Sequence, residues 1–139
     1  MSILASELLI FFDISLGHLP VSPVHAQSSH AFLNQKPVHV YHMQHFHDRF
    51  YGLMGVRSWP INQALQFGYL SRSFWMRNVP MVLDMVFFDK KGCVVSFQQA
   101  VPYSHASITI PKEAWFTWEL GGGAVSYYQI KEGDCIQSQ

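Results

Sequence analysis

The chain has 139 residues and a formal net charge of zero. Hydrophobic residues make up 49% of it and charged residues only 13%, a composition that suits one compact domain with a well-filled core. The sequence contains no run of basic residues, which argues against a nucleic-acid surface and against binding to an anionic membrane.

The first 36 residues are predicted to be an N-terminal extension that includes an atypical signal segment. The apolar run at 8–12 and the sequence Val-His-Ala at 24–26 resemble the centre and the cleavage site of an export signal. No basic residue precedes the run and acidic residues flank it, which is not typical of such signals. We expect a periplasmic or secreted protein, with a cytoplasmic protein as the alternative. The run is too short to span a membrane.

Residues 37–139 are predicted to form a single α+β domain on a mostly antiparallel, barrel-like sheet. The apolar stripe of Phe46, Phe50, Leu53 and Met54 predicts the main helix over about 44–55, and Gly55 is expected to end it. A short helix is expected at 124–128, and a hairpin turn at 89–92. Strands are expected at 38–41, 65–69, 73–78, 82–89, 93–97, 115–120 and 135–136.

Two cysteines, Cys93 and Cys135, are too few for a disulfide scaffold. They either form one bridge in an oxidising compartment or remain free thiols in the core. Neither belongs to a CxxC motif, and free cysteine is among the most buried residue types. We therefore favour two buried thiols.

A cluster of histidines at 39–48 is the obvious candidate for a metal site. Zinc needs three or four convergent ligands, and residues three or four apart share a helix face. However, His39 belongs to a predicted strand and no HExxH motif is present. We predict no metal and no cofactor, with metal binding as a weaker alternative. The cluster contains His39, His42, His45, His47 and Asp48.

The segment 73–89 sets polar residues among apolar ones. Strand alternation surrounds Asp84 with apolar side chains on both faces, so its carboxylate is expected to be buried and to need hydrogen-bond donors. Candidate donors are Arg77, Asn78, the indole of Trp75 and backbone N–H groups. A structural polar network that fixes the strand register is the favoured interpretation. The other is a ligand pocket that uses Trp75 as an apolar platform.

Several short motifs follow one another along the chain: Gly52–Leu53–Met54, Phe74–Trp75–Met76–Arg77–Asn78, Pro80, Leu83–Asp84, Phe88–Asp89 with Gly92, Pro102, Glu119 and Gly133–Asp134. Their order resembles the DUF192 family, also called UPF0127, over about 38–136. The resemblance implies a compact β-rich fold of small, often exported bacterial and archaeal proteins, and it implies no established activity. Val79 stands where the family usually has Thr, and the family strand Gly-Met-Leu-Phe is altered at 63–67.

We expect a binding or accessory domain rather than an enzyme, with an unknown small molecule or protein as its partner. No nucleic-acid partner and no membrane span are predicted. The alternative is a hydrolase-like enzyme in which Asp84 and Glu119 act as acid and base. The candidate ligand-binding residues are Trp75, Arg77, Asn78, Asp84 and Glu119.

Overall fold

A computed structural model describes residues 26–138, and they form a curled, barrel-like sheet with a few short helices. The predicted α+β class is confirmed, whereas the predicted signal segment at 1–25 lies outside the described residues. No helix within 26–138 has the length and apolar character needed to cross a membrane. The elements are β1 Gln27–Leu33, β2 Lys36–His42, α1 Phe46–Tyr51, β3 Gln63–Phe67, β4 Ser73–Phe74, β5 Leu83–Phe88, β6 Val94–Ala100, β7 Ile108–Thr109, β8 Phe116–Gly121, α2 Ala124–Tyr127 and β9 Gln137–Ser138.

Seven of these strands make one sheet in the order β6-β5-β8-β3-β2-β1-β9. Every neighbouring pair is antiparallel except β2 and β3, which run parallel because the long connection through α1 carries the chain back to the same end of the sheet. Strands β4 and β7 form a separate two-stranded ribbon. Strands β5 and β8 therefore lie side by side in the sheet and β3 follows β8.

Strand β1 extends the folded domain to before the predicted boundary at 37. It pairs with β2 along its whole length, from Gln27 opposite His42 to Leu33 opposite Lys36. Only Ala31 and Leu33 of this strand are buried. Most of its side chains are polar and exposed, so the hydrophobic pattern did not reveal it, and residues from 27 onward belong to the sheet.

The two faces of the sheet carry separate hydrophobic clusters, as strand alternation requires. On β5, Leu83, Met85 and Phe87 belong to the first cluster, and Val86 and Phe88 belong to the second. All six residues of β5 are buried. This central strand is therefore covered on both sides, which explains its continuous apolar sequence.

A disulfide joins Cys93 to Cys135, so the preference for two buried free thiols was wrong. Backbone bonds run beside it, from Val94 N to Asp134 O at 2.8 Å and from Ile136 N to Gly92 O at 2.9 Å. They connect the start of the edge strand β6 to the segment that leads into β9, at the other edge of the sheet. The strand predicted at 135–136 is instead this closing segment, followed by β9.

Helix α1 is shorter than predicted and buries a different face. It ends at Tyr51 because Gly52 adopts φ 48° and ψ −119°, which is not helical. Of the predicted apolar stripe, Leu53 and Met54 are buried but lie beyond the end of the helix, whereas Phe46 is 73% exposed and Phe50 is 45% exposed. The buried helical residue is Asp48.

The strand predicted over 73–78 contains only Ser73 and Phe74. The chain then turns, and Asn78 adopts a left-handed φ of 60°, which an extended strand does not permit. The β5 strand and the turn at 89–92 agree with the sequence prediction, and Gly92 has the expected positive φ of 83°.

We expect the double variant Cys93→Ala/Cys135→Ala to lower the free energy of unfolding by about 2–4 kcal/mol, because the disulfide closes a long loop. Urea denaturation under oxidising conditions measures this difference. A reducing agent should destabilise the wild-type protein by the same amount and leave the double variant unchanged. Equal stability of the wild type and the double variant under oxidising conditions would contradict the expected stabilisation by the disulfide.

Candidate functional site

A cavity of about 300 Å³ opens beside the first hydrophobic cluster. Its walls come from the end of α1, from the loop after β4, from the segment before β7, and from side chains of β3 and β8. We call it the Glu119 cavity after the carboxyl group described below. The residues that line it are Arg49, Phe50, Tyr51, Gly52, Leu53, Met54, Phe67, Ser73, Phe74, Trp75, Arg77, Val79, His105, Ser107 and Glu119.

The loop at 75–79 is fixed to its surroundings by two buried apolar side chains and by backbone hydrogen bonds. Met76 and Val79 are buried in the first cluster. Met76 N donates to Ser104 O at 3.1 Å, and Tyr103 N donates to Val79 O at 3.0 Å. Val79 therefore sits where an apolar side chain suits the core.

Trp75 and Arg77, which alternate with the buried Met76, lie at the exposed rim of the cavity. Trp75 is 43% exposed, and the Arg77 guanidinium carbon lies 5.4 Å from the centroid of the Trp75 ring. This distance is within the range of a cation–π interaction. The rim thus pairs an aromatic surface with a positive charge.

Glu119 on β8 contributes the buried carboxyl group of the cavity. The residue is only 6% exposed, and its side chain makes no hydrogen bond or ion pair with the residues described here. Burial disfavours the charged form and raises the pKa of Glu119 to about 8. At neutral pH the group is therefore mostly a protonated, neutral donor.

Gly52 keeps the backbone of the α1 terminus close to this carboxyl. A Cβ atom at Gly52 would lie 3.7 Å from Oε2 of Glu119, and the φ of 48° is one that L side chains rarely adopt. A larger residue would therefore strain the backbone and occupy space in front of the carboxyl. The sequence signal for this approach is a glycine at the end of a short helix. The sequence predicted that Gly55 ends the helix, whereas Gly52 does so in the structure.

Asp84 lies on the opposite face of the sheet and does not reach the cavity. Its Oδ2 accepts hydrogen bonds from Gly123 N at 3.1 Å and from Val125 N at 2.9 Å, at the start of α2. In the β5–β8 register Asp84 is opposite Leu120, and Glu119 is opposite Met85. The burial predicted for Asp84 is observed, and of the proposed donors only backbone N–H groups are used.

The proposed acid–base pair is consequently wrong. Asp84 and Glu119 are separated by the sheet because paired residues project to the same face and their neighbours to the other. Asn78 does not line the cavity either, and its carbonyl accepts a hydrogen bond from Gly55 N at 2.8 Å.

The structure therefore brings together three of the five predicted site residues, Trp75, Arg77 and Glu119. Arg49, Gly52, His105 and Ser107 were missed. Gly52 belongs to the Gly-Leu-Met motif but was assigned no role in a site, and no motif in the sequence marks Arg49, His105 or Ser107.

The histidines do not form a metal site in the described part of the chain. Within 26–138, no group of three or more His, Cys, Asp or Glu side chains is arranged to hold a metal ion. His39 stacks between His30 and Tyr41, with ring centroids 4.6 and 4.5 Å away, and burial lowers its pKa. His42 Nε2 lies 2.8 Å from Ser29 Oγ. Both histidines belong to β2, and His39 Nε2 is buried without a hydrogen-bond partner among the described residues.

The pKa of Glu119 makes stability depend on pH. Its folded pKa of about 8 lies above the ordinary value of 4.5, so the folded state binds the proton more tightly than the unfolded state. This stabilisation is complete below about pH 4.5 and is lost as the pH rises through about 8. Glu119→Gln, which cannot ionise, should remove the loss and exceed the wild type in stability at pH 9 by about 2–4 kcal/mol.

Urea denaturation of both proteins between pH 5 and pH 9 measures the effect, with Glu113→Gln at an exposed position as the control. A wild-type curve parallel to that of Glu119→Gln would show that the carboxyl group ionises normally.

Known proteins resemble the chain at two levels, in a sequence family and in a fold. The DUF192 family model, described as "Uncharacterized ACR", matches residues 29–138. No curated protein matches the chain.

Two solved structures share its fold. One is a crystal structure of a candidate transcription regulator from Sinorhizobium meliloti 1021, with a TM-score of 0.70 and 23% identity over 81% of this chain and 92% of that chain. The other is a protein of unknown function from Novosphingobium aromaticivorans DSM 12444, with a TM-score of 0.69 and 21% identity over 84% of this chain and 90% of that chain. The match of the family model across nearly all of the described residues shows that this chain belongs to the DUF192 family.

Proposed function

We propose that this protein is a binding domain whose small-molecule ligand occupies the Glu119 cavity. The observation that carries the proposal is a buried carboxyl group without a hydrogen-bond partner among the described residues, in a cavity that opens to the surface. The Glu119 oxygens are not among the fully buried side-chain atoms without a partner, which in the described chain are His39 Nε2 and Thr117 Oγ1, so they face the space of the cavity. A ligand in the cavity can therefore hydrogen-bond to Glu119.

The remaining lining suits an apolar ligand with a few polar groups. Phe67 and Phe74 meet edge to face with ring centroids 5.0 Å apart, and Trp75 adds an exposed aromatic surface at the rim. Binding sites for small molecules are typically concave and apolar, with a small number of polar groups that orient the ligand. A volume of about 300 Å³ lies at the small end of the range for such sites.

Binding is preferred to catalysis because the lining contains no pair of carboxyl groups. Glu119 is the acidic residue among the described lining residues, and Asp84 serves to hold the start of α2. General acid–base catalysis of hydrolysis by two carboxyl groups needs both of them near one bond.

We also propose that the protein functions outside the cytoplasm, in the periplasm or after secretion, with the cytoplasm as the alternative. The Cys93–Cys135 disulfide supports this location because such bonds persist mainly in oxidising compartments. The signal-like residues at 24–26 support it independently.

For export, we expect the full chain produced in a bacterium to appear outside the cytoplasm with its N-terminus shortened near residue 26 and its cysteines oxidised. Cell fractionation followed by intact-mass spectrometry gives all three results. A full-length cytoplasmic protein with two free thiols would refute export.

For ligand binding, we expect Trp75→Ala to weaken the binding of cavity ligands about fivefold, because stacking on an aromatic ring contributes about 1 kcal/mol. Suitable ligands would come from a fragment screen by saturation-transfer NMR with acids, amines and neutral aromatics.

Trp115→Ala is the matched control, since Trp115 is 44% exposed and lies outside the cavity. Asp84→Asn is a second control on the other face of the sheet. Both should bind as the wild type does. Equal losses in Trp75→Ala and Trp115→Ala would place the fragments elsewhere, and a screen without any bound fragment would refute the proposal.

A further inference from the structure

We infer that the ligand of the Glu119 cavity is a small organic anion. It would have an apolar body, a carboxylate or phosphate group at the rim, and a hydrogen-bond acceptor at the inner end. This inference rests on the proposed function and adds the chemical class of the ligand. It is carried by the placement of two guanidinium groups at the rim and one carboxyl group in the interior.

Arg49 and Arg77 give the rim its positive charge. Both side chains are exposed and both line the cavity. Neither forms an ion pair with an acidic residue of the described chain. This local excess is notable in a chain whose formal net charge is zero.

Both guanidinium groups keep donors available for a ligand. Arg49 donates through one nitrogen to the carbonyl of Gln44, and Arg77 lies over the ring of Trp75. A guanidinium has several N–H donors, and its planar fork matches carboxylate and phosphate oxygens. The two anionic groups share this chemistry, so the rim suits either of them.

The interior favours an acceptor over a cation. Burial raises the pKa of Glu119, so the group offers an O–H donor at neutral pH. The other titratable or charged groups of the cavity are Arg49 and Tyr51 from α1, Arg77 from the 75–79 loop and His105 from the segment before β7. None of these side chains carries a negative charge. The two guanidinium groups at the rim would therefore repel a cationic ligand, which would find only an uncharged carboxyl group inside.

Four probes that share one scaffold test the charge of the ligand. All carry a 4-hydroxyphenyl ring at the end of a three-carbon chain, and the phenol can accept a hydrogen bond from Glu119. The end groups are a carboxylate in the propanoate, a phosphate monoester, an alcohol and an ammonium. Isothermal titration calorimetry with the full chain at pH 6.5 and low salt gives each dissociation constant.

We expect the carboxylate or the phosphate to bind at least about tenfold more tightly than the alcohol, because a charge-assisted hydrogen bond to arginine contributes about 1.5–3 kcal/mol. The anion that binds more tightly shows whether the negative group of the ligand is a carboxylate or a phosphate. The ammonium should bind more weakly than the alcohol. Tightest binding by the ammonium, or equal binding by the alcohol and both anions, would overturn this inference while leaving the proposed function intact. Failure of all four probes would overturn this inference, and the fragment screen decides separately on the proposed function.

Arginine variants locate the anionic group. Arg77→Gln and Arg49→Gln should each weaken the better anion about tenfold and leave the alcohol unchanged. Arg57→Gln is the matched control, because Arg57 is exposed and does not line the cavity. Equal losses in all three variants would mean that the anion responds only to overall charge, which would also overturn the inference.

Discussion

The pairing of β5 with β8 is the constraint on which the site depends. In this register Met85 lies opposite Glu119, and Asp84 lies opposite Leu120. The two acidic residues are neighbours across one ladder and yet face different hydrophobic clusters. A shift of β8 by one residue would turn Glu119 to the face that Asp84 occupies, because side chains alternate between the faces of a strand. The register therefore decides which carboxyl group is satisfied by the backbone and which is left for the cavity.

The two carboxyl groups are buried to a similar extent but differ in their hydrogen-bond partners. Asp84 accepts two backbone N–H groups at the start of α2, which is a favourable way to bury an acidic side chain. Glu119 finds no such partner in the described chain and is mostly neutral at physiological pH. Glu119 faces the cavity instead of a partner in the described chain, and positions that depart from the usual rules of burial are often functional.

Local pattern predicted much of the fold. The apolar run of β5 and the Asp89–Gly92 turn were predicted because their signals are short-range: Asp89 Oδ1 accepts hydrogen bonds from the N–H of Lys91 and Cys93, and Gly92 has positive φ. The class of fold followed from the number of short strands. Strand β1 was missed because its residues are mostly polar, and the disulfide was missed because it joins elements from opposite edges of the sheet.

The site was predictable only in part. Trp75 and Arg77 were identified from an unusual local composition, and Glu119 from its place in a family motif. Their assembly with Arg49 and His105 depends on how α1 and the loops cover the sheet, which no spacing in the sequence encodes. Asp84 was assigned to the same cluster because it is close in sequence, although the sheet separates it from the cavity.

The disulfide also means that one wall of the cavity belongs to a covalent ring and the other does not. Residues 93–135 form a covalent ring that contains Glu119, His105 and Ser107. The opposing wall, with α1 and the loop at 75–79, lies outside the ring and is held by packing and hydrogen bonds alone. The two walls of the cavity are therefore held in different ways, one within a covalent ring and the other through non-covalent contacts alone.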